Sequence, residues 1–252
     1  MVEDMLEHVR GPYGESLSSG HPLRFILLTT PRSGTMMLAN ALEADPAVRL
    51  WNLYASNPKE PHVSLALWEG FQWGEYPPEV THLGTTMHFV GAAWSPRSPI
   101  PLARLWSMLA AKHDRYLILY RENLVRQYLS YQVGIALGTY DVLKPRSEKP
   151  EPPPVTFDLQ KFTAWVADIR WLLQLANLFP SRLQLSYELL SRQWNAVYRT
   201  VRDYLGLPKI ADAPSPTYKQ ESRTLHEAIT NYDEVATWCK TDGHEEWMED
   251  PA

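Results

Sequence analysis

Short, unbroken apolar runs alternate along the chain with longer stretches whose apolar residues recur every three or four positions. The first run, RFILLTT at 24–30, reads as a buried strand. SGTMMLANALEAD at 33–45 then sets Met37, Leu38, Ala41 and Leu42 on one helical face, with Asp45-Pro46 as its stop. AVRLWNLY at 47–54 and THLGTTMHFV at 81–90 predict two further strands, and RYLILYR at 115–121 is a strand enclosed between arginines. Helices are predicted over 100–112, over 123–137 with Asn123 as cap, and over 157–179. A strand at 182–190, a helix at 192–206 ending on Gly206, and a last helix at roughly 222–239 complete the series. Residues 55–80 are irregular and carry no assigned element.

Strands that alternate with helices over nearly the whole length predict an α/β fold with a parallel sheet flanked by helices. Such sheets bind ligands beyond the carboxyl ends of their strands. With 252 residues, 44% of them hydrophobic, the chain can bury a full core, and a single domain over 22–240 is expected. A flexible segment at 1–21 and a tail at 241–252 flank it, and a proline-rich loop occupies 141–156. That loop is either a solvated linker or a flap beside the active site. Trp165 and Trp171 are expected to pack within the 157–179 helix, and Trp51, Trp68, Trp73 and Trp94 to line a ligand pocket.

A net charge of −5 argues against a nucleic-acid polymer as partner, yet leaves room for a local cationic pocket. Cys239 is the sole cysteine, so neither an intrachain disulfide nor a cysteine metal cage is expected. The first twenty residues lack the apolar core of a signal peptide, and no window approaches eighteen apolar residues. A cytoplasmic protein without a membrane span is expected. Its oligomeric state is left open, a dimer included.

Two segments carry candidate chemistry. TPRSGT at 30–35 follows the first strand and opens a helix. Gly34 permits a tight turn, and the amides of residues 33–36 would point at an anion, aided by the helix dipole. Arg32 adds charge, and Ser33 and Thr35 add hydroxyl donors. The plain alternative is a strand-to-helix turn with a capping serine. A nucleotide-hydrolysing loop of GxxxxGK[ST] type is not present, because the first glycine and the lysine are missing. The second segment, RYLILYRENLVRQYLSYQ, repeats the arrangement: a strand, Arg121 at its exit, then a helix bearing Arg126, Gln127 and Ser130. Two strand exits offering anion donors suit a ligand with two phosphate-like groups.

On TPRSGTMML and LYRENLVRQYLS, the sequence resembles the PAPS-dependent sulfotransferases, especially bacterial members acting on carbohydrates, lipids or other small hydroxyl compounds. RLQLSYELL and TYKQESRTLHEAITNYDEV resemble later segments of the same family, so the likeness spans about residues 24–239. It implies a P-loop-like sulfotransferase fold, with 3'-phosphoadenosine 5'-phosphosulfate (PAPS) as sulfuryl donor and 3'-phosphoadenosine 5'-phosphate (PAP) as product. Arg32, Ser33, Gly34, Thr35 and the Met36 backbone would hold the phosphosulfate. Arg121 and Ser130 would hold the 3'-phosphate, and Lys219 and Gln220 would approach the cofactor from a late loop. Arg126 either touches the nucleotide phosphate or pairs with an acid on the helix surface.

Sulfuryl transfer to a small-molecule hydroxyl acceptor needs a base and an offset for charge growing on the bridging oxygen. Arg32 suits the second role, and a neutral histidine the first. No metal is required. His88 stands near the end of a strand between the two anion motifs, where some relatives have Lys-x-His, with Thr86 in place of the lysine. His62, Glu60 and Glu69 are the other candidates for the base. A nucleotide-dependent kinase and a non-catalytic nucleotide-binding protein are the alternative functions.

Overall fold

The computed structural model describes residues 22–53, 75–88, 114–138, 151–177, 179, 182–209 and 223–249. Five strands are formed: β1 (Leu23–Thr29), β2 (Val48–Leu53), β3 (His82–His88), β4 (Arg115–Tyr120) and β5 (Arg182–Ser186). All pair in parallel, in the order β2-β3-β1-β4-β5. The apolar runs read as buried strands have that property: Phe25, Ile26, Leu27 and Leu28 are all fully buried. The helices are α1 (Thr35–Glu43), α2 (Leu124–Leu137), α3 (Leu159–Ala176), α4 (Tyr187–Arg192), α5 (Trp194–Leu205), α6 (Leu225–Ala228) and α7 (Tyr232–Asp242). The result is a parallel sheet flanked by helices, as the alternating pattern predicts.

One face of the sheet packs Phe25, Leu27, Leu117, Leu119 and Leu185 against Leu38 and Leu42 of α1 and Val197, Val201 and Leu205 of α5. Gly84 of β3 belongs to this packing, because a Cβ there would come within 2.3 Å of both Leu50 and Phe25. On the opposite face Tyr116 stacks on Phe179, with ring centroids 4.6 Å apart. A second apolar cluster joins Val125 and Leu129 of α2, Phe162 and Ile169 of α3, and Leu225, Val235 and Trp247.

Two expected elements differ. The strand at 182–190 ends at Ser186, whose hydroxyl accepts from the Leu189 amide and turns YELLSR into α4. The last helix is broken at Ile229, which adopts extended backbone and bridges Val155, leaving α6 and α7 on either side. Packing also continues past 240: α7 runs to Asp242, and Trp247 in the 3-10 turn Glu245–Met248 is buried. Trp165 packs against Tyr128 and Tyr131 as expected, whereas Trp171 is 42% exposed on α3. The helix expected at 100–112 and most of the 141–156 loop lie outside the described residues, as do Trp68, Trp73 and Trp94. No described helix is long and apolar enough to cross a membrane.

The strand order determines where a ligand can enter. The connection leaving β1 runs through α1 to β2 on one side, while that leaving β4 runs through α2 and α3 to β5 on the other. The two connections diverge and open a crevice between the carboxyl ends of β1 and β4.

Candidate functional site

The crevice lies between the two arginine-bearing segments. In the sheet Thr29, the last residue of β1, is in register with Leu119 of β4 on one side and His88 of β3 on the other. The loop Thr30–Gly34 follows directly. Arg32 has φ 64°, the only positive φ at a non-glycine among the described residues, and Gly34 has φ 87°. Alternation of this kind can turn successive amides toward a common point. Gly34 caps α1, whose first turn carries no acidic residue, so the positive end of the helix dipole is left without an internal counter-charge there.

Gly34 serves a packing need as well as a conformational one. A Cβ at this position would lie 2.8 Å from Cδ2 of Tyr187 and 3.4 Å from Leu190. The ring of Tyr187, at the start of α4, therefore supports the loop from beneath. The same ring faces the Arg121 guanidinium, whose Cζ is 4.7 Å from its centroid.

The loop hydroxyls are turned inward. Ser33 is fully buried and donates to the Thr30 carbonyl at 2.6 Å and the Leu119 carbonyl at 3.3 Å, tying the loop to β4. Thr35 Oγ1 lies 2.6 Å from Thr29 Oγ1, which is also 3.2 Å from the Thr30 carbonyl, so the two hydroxyls share a hydrogen bond within the turn. In this arrangement the loop offers an anion its backbone and Arg32, while the two hydroxyls shape the turn.

Arg32 connects the motifs. Its Nε donates to Ser130 Oγ of α2 at 3.1 Å, across 98 residues of sequence. Gln127, one turn earlier on α2, donates to Thr30 Oγ1 and to the Pro31 carbonyl, both at 2.7 Å. Asn123 caps the helix by accepting from the Arg126 amide at 2.9 Å, and its own Nδ2 donates to the Trp247 carbonyl at 2.9 Å. The C-terminal turn thus fixes the start of the helix that carries Arg126 and Ser130.

Arg121 is a buried charge held by long contacts. Only 14% of its side chain is exposed. Its guanidinium meets the Arg32 carbonyl at 3.5 Å and the Glu188 carboxylate at 3.6 Å, at or beyond hydrogen-bond length. Its Nε is buried without a hydrogen-bond partner. Burial depresses the Arg121 pKa, Tyr187 and Glu188 work in the other direction, and the nearby Arg126 depresses it further. An arginine nonetheless stays protonated wherever the protein is folded. Glu188 spends its hydrogen bonds elsewhere, accepting from the amides of Glu122 at 3.0 Å and Asn123 at 3.3 Å. A buried cation held by long contacts, with a second guanidinium beside it, leaves an anion the favoured addition.

His82 sits at the far end of β3. It is buried, with Nε2 2.9 Å from the Leu205 carbonyl and Nδ1 2.8 Å from Thr81 Oγ1, which assigns Nε2 as donor. Beside it Arg202, 2% exposed, pairs with Asp45 at 2.7 Å and donates to the Pro208 carbonyl. This is a structural cluster remote from the strand exits.

Arg32, Ser33, Gly34, Thr35, Met36, Arg121, Arg126 and Ser130 therefore lie on segments that converge at one crevice, and the His88 backbone lies beside Thr29 at the same sheet edge. Lys219, Gln220, His62, Glu60 and Glu69 fall outside the described residues. Tyr187, Glu188 and Trp247 were not singled out by sequence. A positional signal existed for the first two, since they directly follow a predicted parallel strand. No protein-family model matches the chain, and no curated protein matches it.

Proposed function

We propose that the protein is a PAPS-dependent sulfotransferase with a P-loop-like sulfotransferase fold, moving a sulfuryl group to a hydroxyl of a small-molecule, carbohydrate or lipid acceptor. The observation that carries the reading is the junction of two cationic strand exits: Arg32 after β1 touches Ser130 of α2, and the under-bonded Arg121 after β4 contacts the Arg32 backbone. A nucleotide bearing a phosphosulfate on its 5' side and a phosphate on its 3' side presents two anions to two such exits.

In the proposed reaction the acceptor oxygen attacks sulfur as the bond from sulfur to the bridging phosphate oxygen breaks, releasing PAP. The acceptor proton passes to a base, assigned to His88, and Arg32 offsets the charge that grows on the bridging oxygen. The Thr30–Gly34 backbone holds the phosphosulfate, with the Met36 amide, while Arg121 and Ser130 hold the 3'-phosphate and Arg126 adds charge. Lys219 and Gln220 complete the nucleotide contacts.

The test is transfer from labelled PAPS to a panel of sugars, alcohols, phenols and lipids. Wild type is expected to sulfate at least one class. Arg32→Ala is expected to lose transfer while keeping its fold, and His88→Ala to lose transfer more than PAP binding. Full turnover by Arg32→Ala at saturating PAPS would remove Arg32 from the chemistry.

A further inference from the structure

Gln127 is completely buried on α2, one residue after Arg126 and three before Ser130. Both protons of its Nε2 are committed, one to Thr30 Oγ1 and one to the Pro31 carbonyl. Its Oε1 is buried with no hydrogen-bond partner. The amide cannot be turned over to relieve that atom, because the Pro31 carbonyl only accepts and must face the nitrogen. The side chain thus keeps one orphaned acceptor so that its two donors stay on the anion loop, a choice that costs stability.

What those donors hold is the peptide plane between Pro31 and Arg32. The ring of Pro31 already fixes φ there, so its ψ is the remaining freedom on that side. Binding the Pro31 carbonyl sets this ψ and, through the planar trans peptide, turns the Arg32 N–H away from Gln127. Arg32 then enters the left-handed region at φ 64°, which a non-glycine residue occupies only where its surroundings impose it.

We propose that Gln127 is the positioning residue of the anion loop, imposing the Pro31–Arg32 peptide orientation that makes the loop competent for the 5'-side phosphate group. This rests on the sulfotransferase reading for the ligand, but not for the loop geometry. Gln127 contacts neither ligand group itself. Both of its hydrogen bonds go to the β1 side of the crevice, and it reaches the Arg121 side only indirectly, through the 3.5 Å contact of Arg121 with the Arg32 carbonyl.

The test uses the full chain and the Gln127→Met variant, which keeps the length of the side chain and deletes both donors and the orphaned oxygen. Amide hydrogen exchange is followed in peptides covering residues 30–36, and PAP, adenosine 5'-monophosphate and adenosine 3'-monophosphate are titrated. Exchange is expected to rise in that loop and not in β4 or α5. Affinity for PAP and the 5'-monophosphate is expected to fall about tenfold, the size of one hydrogen bond, with the 3'-monophosphate unchanged within about twofold. Equal weakening of all three ligands, or unaltered exchange in the loop, overturns the proposal. If wild type binds none of the three, the sulfotransferase reading fails, and the exchange result still decides the role of Gln127. Gln127→Glu serves should the methionine variant not fold. Its carboxyl can donate to Pro31 only when protonated, so loop protection should recover as pH falls, and a pH-independent result overturns the proposal.

Discussion

Replacing Arg121 by methionine should separate binding from stability. The native guanidinium is largely buried, with contacts of 3.5 and 3.6 Å, the longer one from an Nε that makes no hydrogen bond, so it bears a desolvation cost that its neighbours only partly offset. Methionine keeps the apolar stem and removes that cost. Glu188 retains its two backbone donors, and the losses are the contact with the Tyr187 ring, about 0.5–2 kcal/mol, and the long ion pair with Glu188. The two changes oppose each other, and net stability should stay within about 1 kcal/mol, a Tm shift of at most about 4 °C at this chain length. A charge-assisted hydrogen bond to a bound phosphate contributes about 1.5–3 kcal/mol, so PAP affinity should fall about 10- to 150-fold. Thermal unfolding without ligand and calorimetric titration with PAP measure the two quantities on one preparation. A loss above about 3 kcal/mol in stability would make Arg121 a structural residue, and an unchanged PAP affinity would take it out of the site.

Three further outcomes follow from the packing. Gly34→Ala should destabilise the protein by about 1–3 kcal/mol, because φ 87° and the 2.8 Å approach of Tyr187 both oppose a Cβ; an unchanged urea midpoint would contradict that. Arg202→Ala should cost about 3–5 kcal/mol by leaving Asp45 without its buried partner, while PAP binding by the folded fraction stays intact; a loss below about 1 kcal/mol in urea unfolding would refute it. Burial lowers the His82 pKa below 6.5, although the bond to Leu205 and the charge of Asp45 work against the shift. The unfolded chain therefore takes up this proton first as pH falls, so the contribution of neutral His82 is full above about pH 6.5 and declines below it. Urea midpoints from pH 7.5 to 5 should fall in wild type and fall less in His82→Gln, and parallel curves would exclude His82 as the cause.

The sequence made the architecture legible because each central strand is an unbroken apolar run, and parallel pairing buries such runs on both faces. It also made legible that Arg32 and Arg121 share one edge of the sheet, since parallel strands end on the same side. The errors have local causes. Leu185, Tyr187 and Leu189 alternate with polar residues as a strand would, but the Ser186 hydroxyl caps a helix at that point. The final helix is interrupted by pairing of Ile229 with Val155, and Asn231 exchanges hydrogen bonds with the Phe157 backbone, contacts made across more than seventy residues. Ser33 and Thr35 read as ligand donors because a hydroxyl's direction is not encoded in its position. Ser33 turns to the Thr30 and Leu119 carbonyls, and Thr35 bonds with Thr29. Gln127 was legible as a residue of the second segment, but a polar residue on a helix gives no sign that it is buried against the loop.

Calorimetric titration of the wild-type chain with PAP, beside ADP and ATP and without magnesium, tests the central claim most directly. The account predicts saturable binding that prefers PAP, since only PAP offers phosphates on both the 3' and 5' sides to the two strand exits. Folded protein that ignores PAP, or that binds ATP more tightly and only with magnesium, would contradict it.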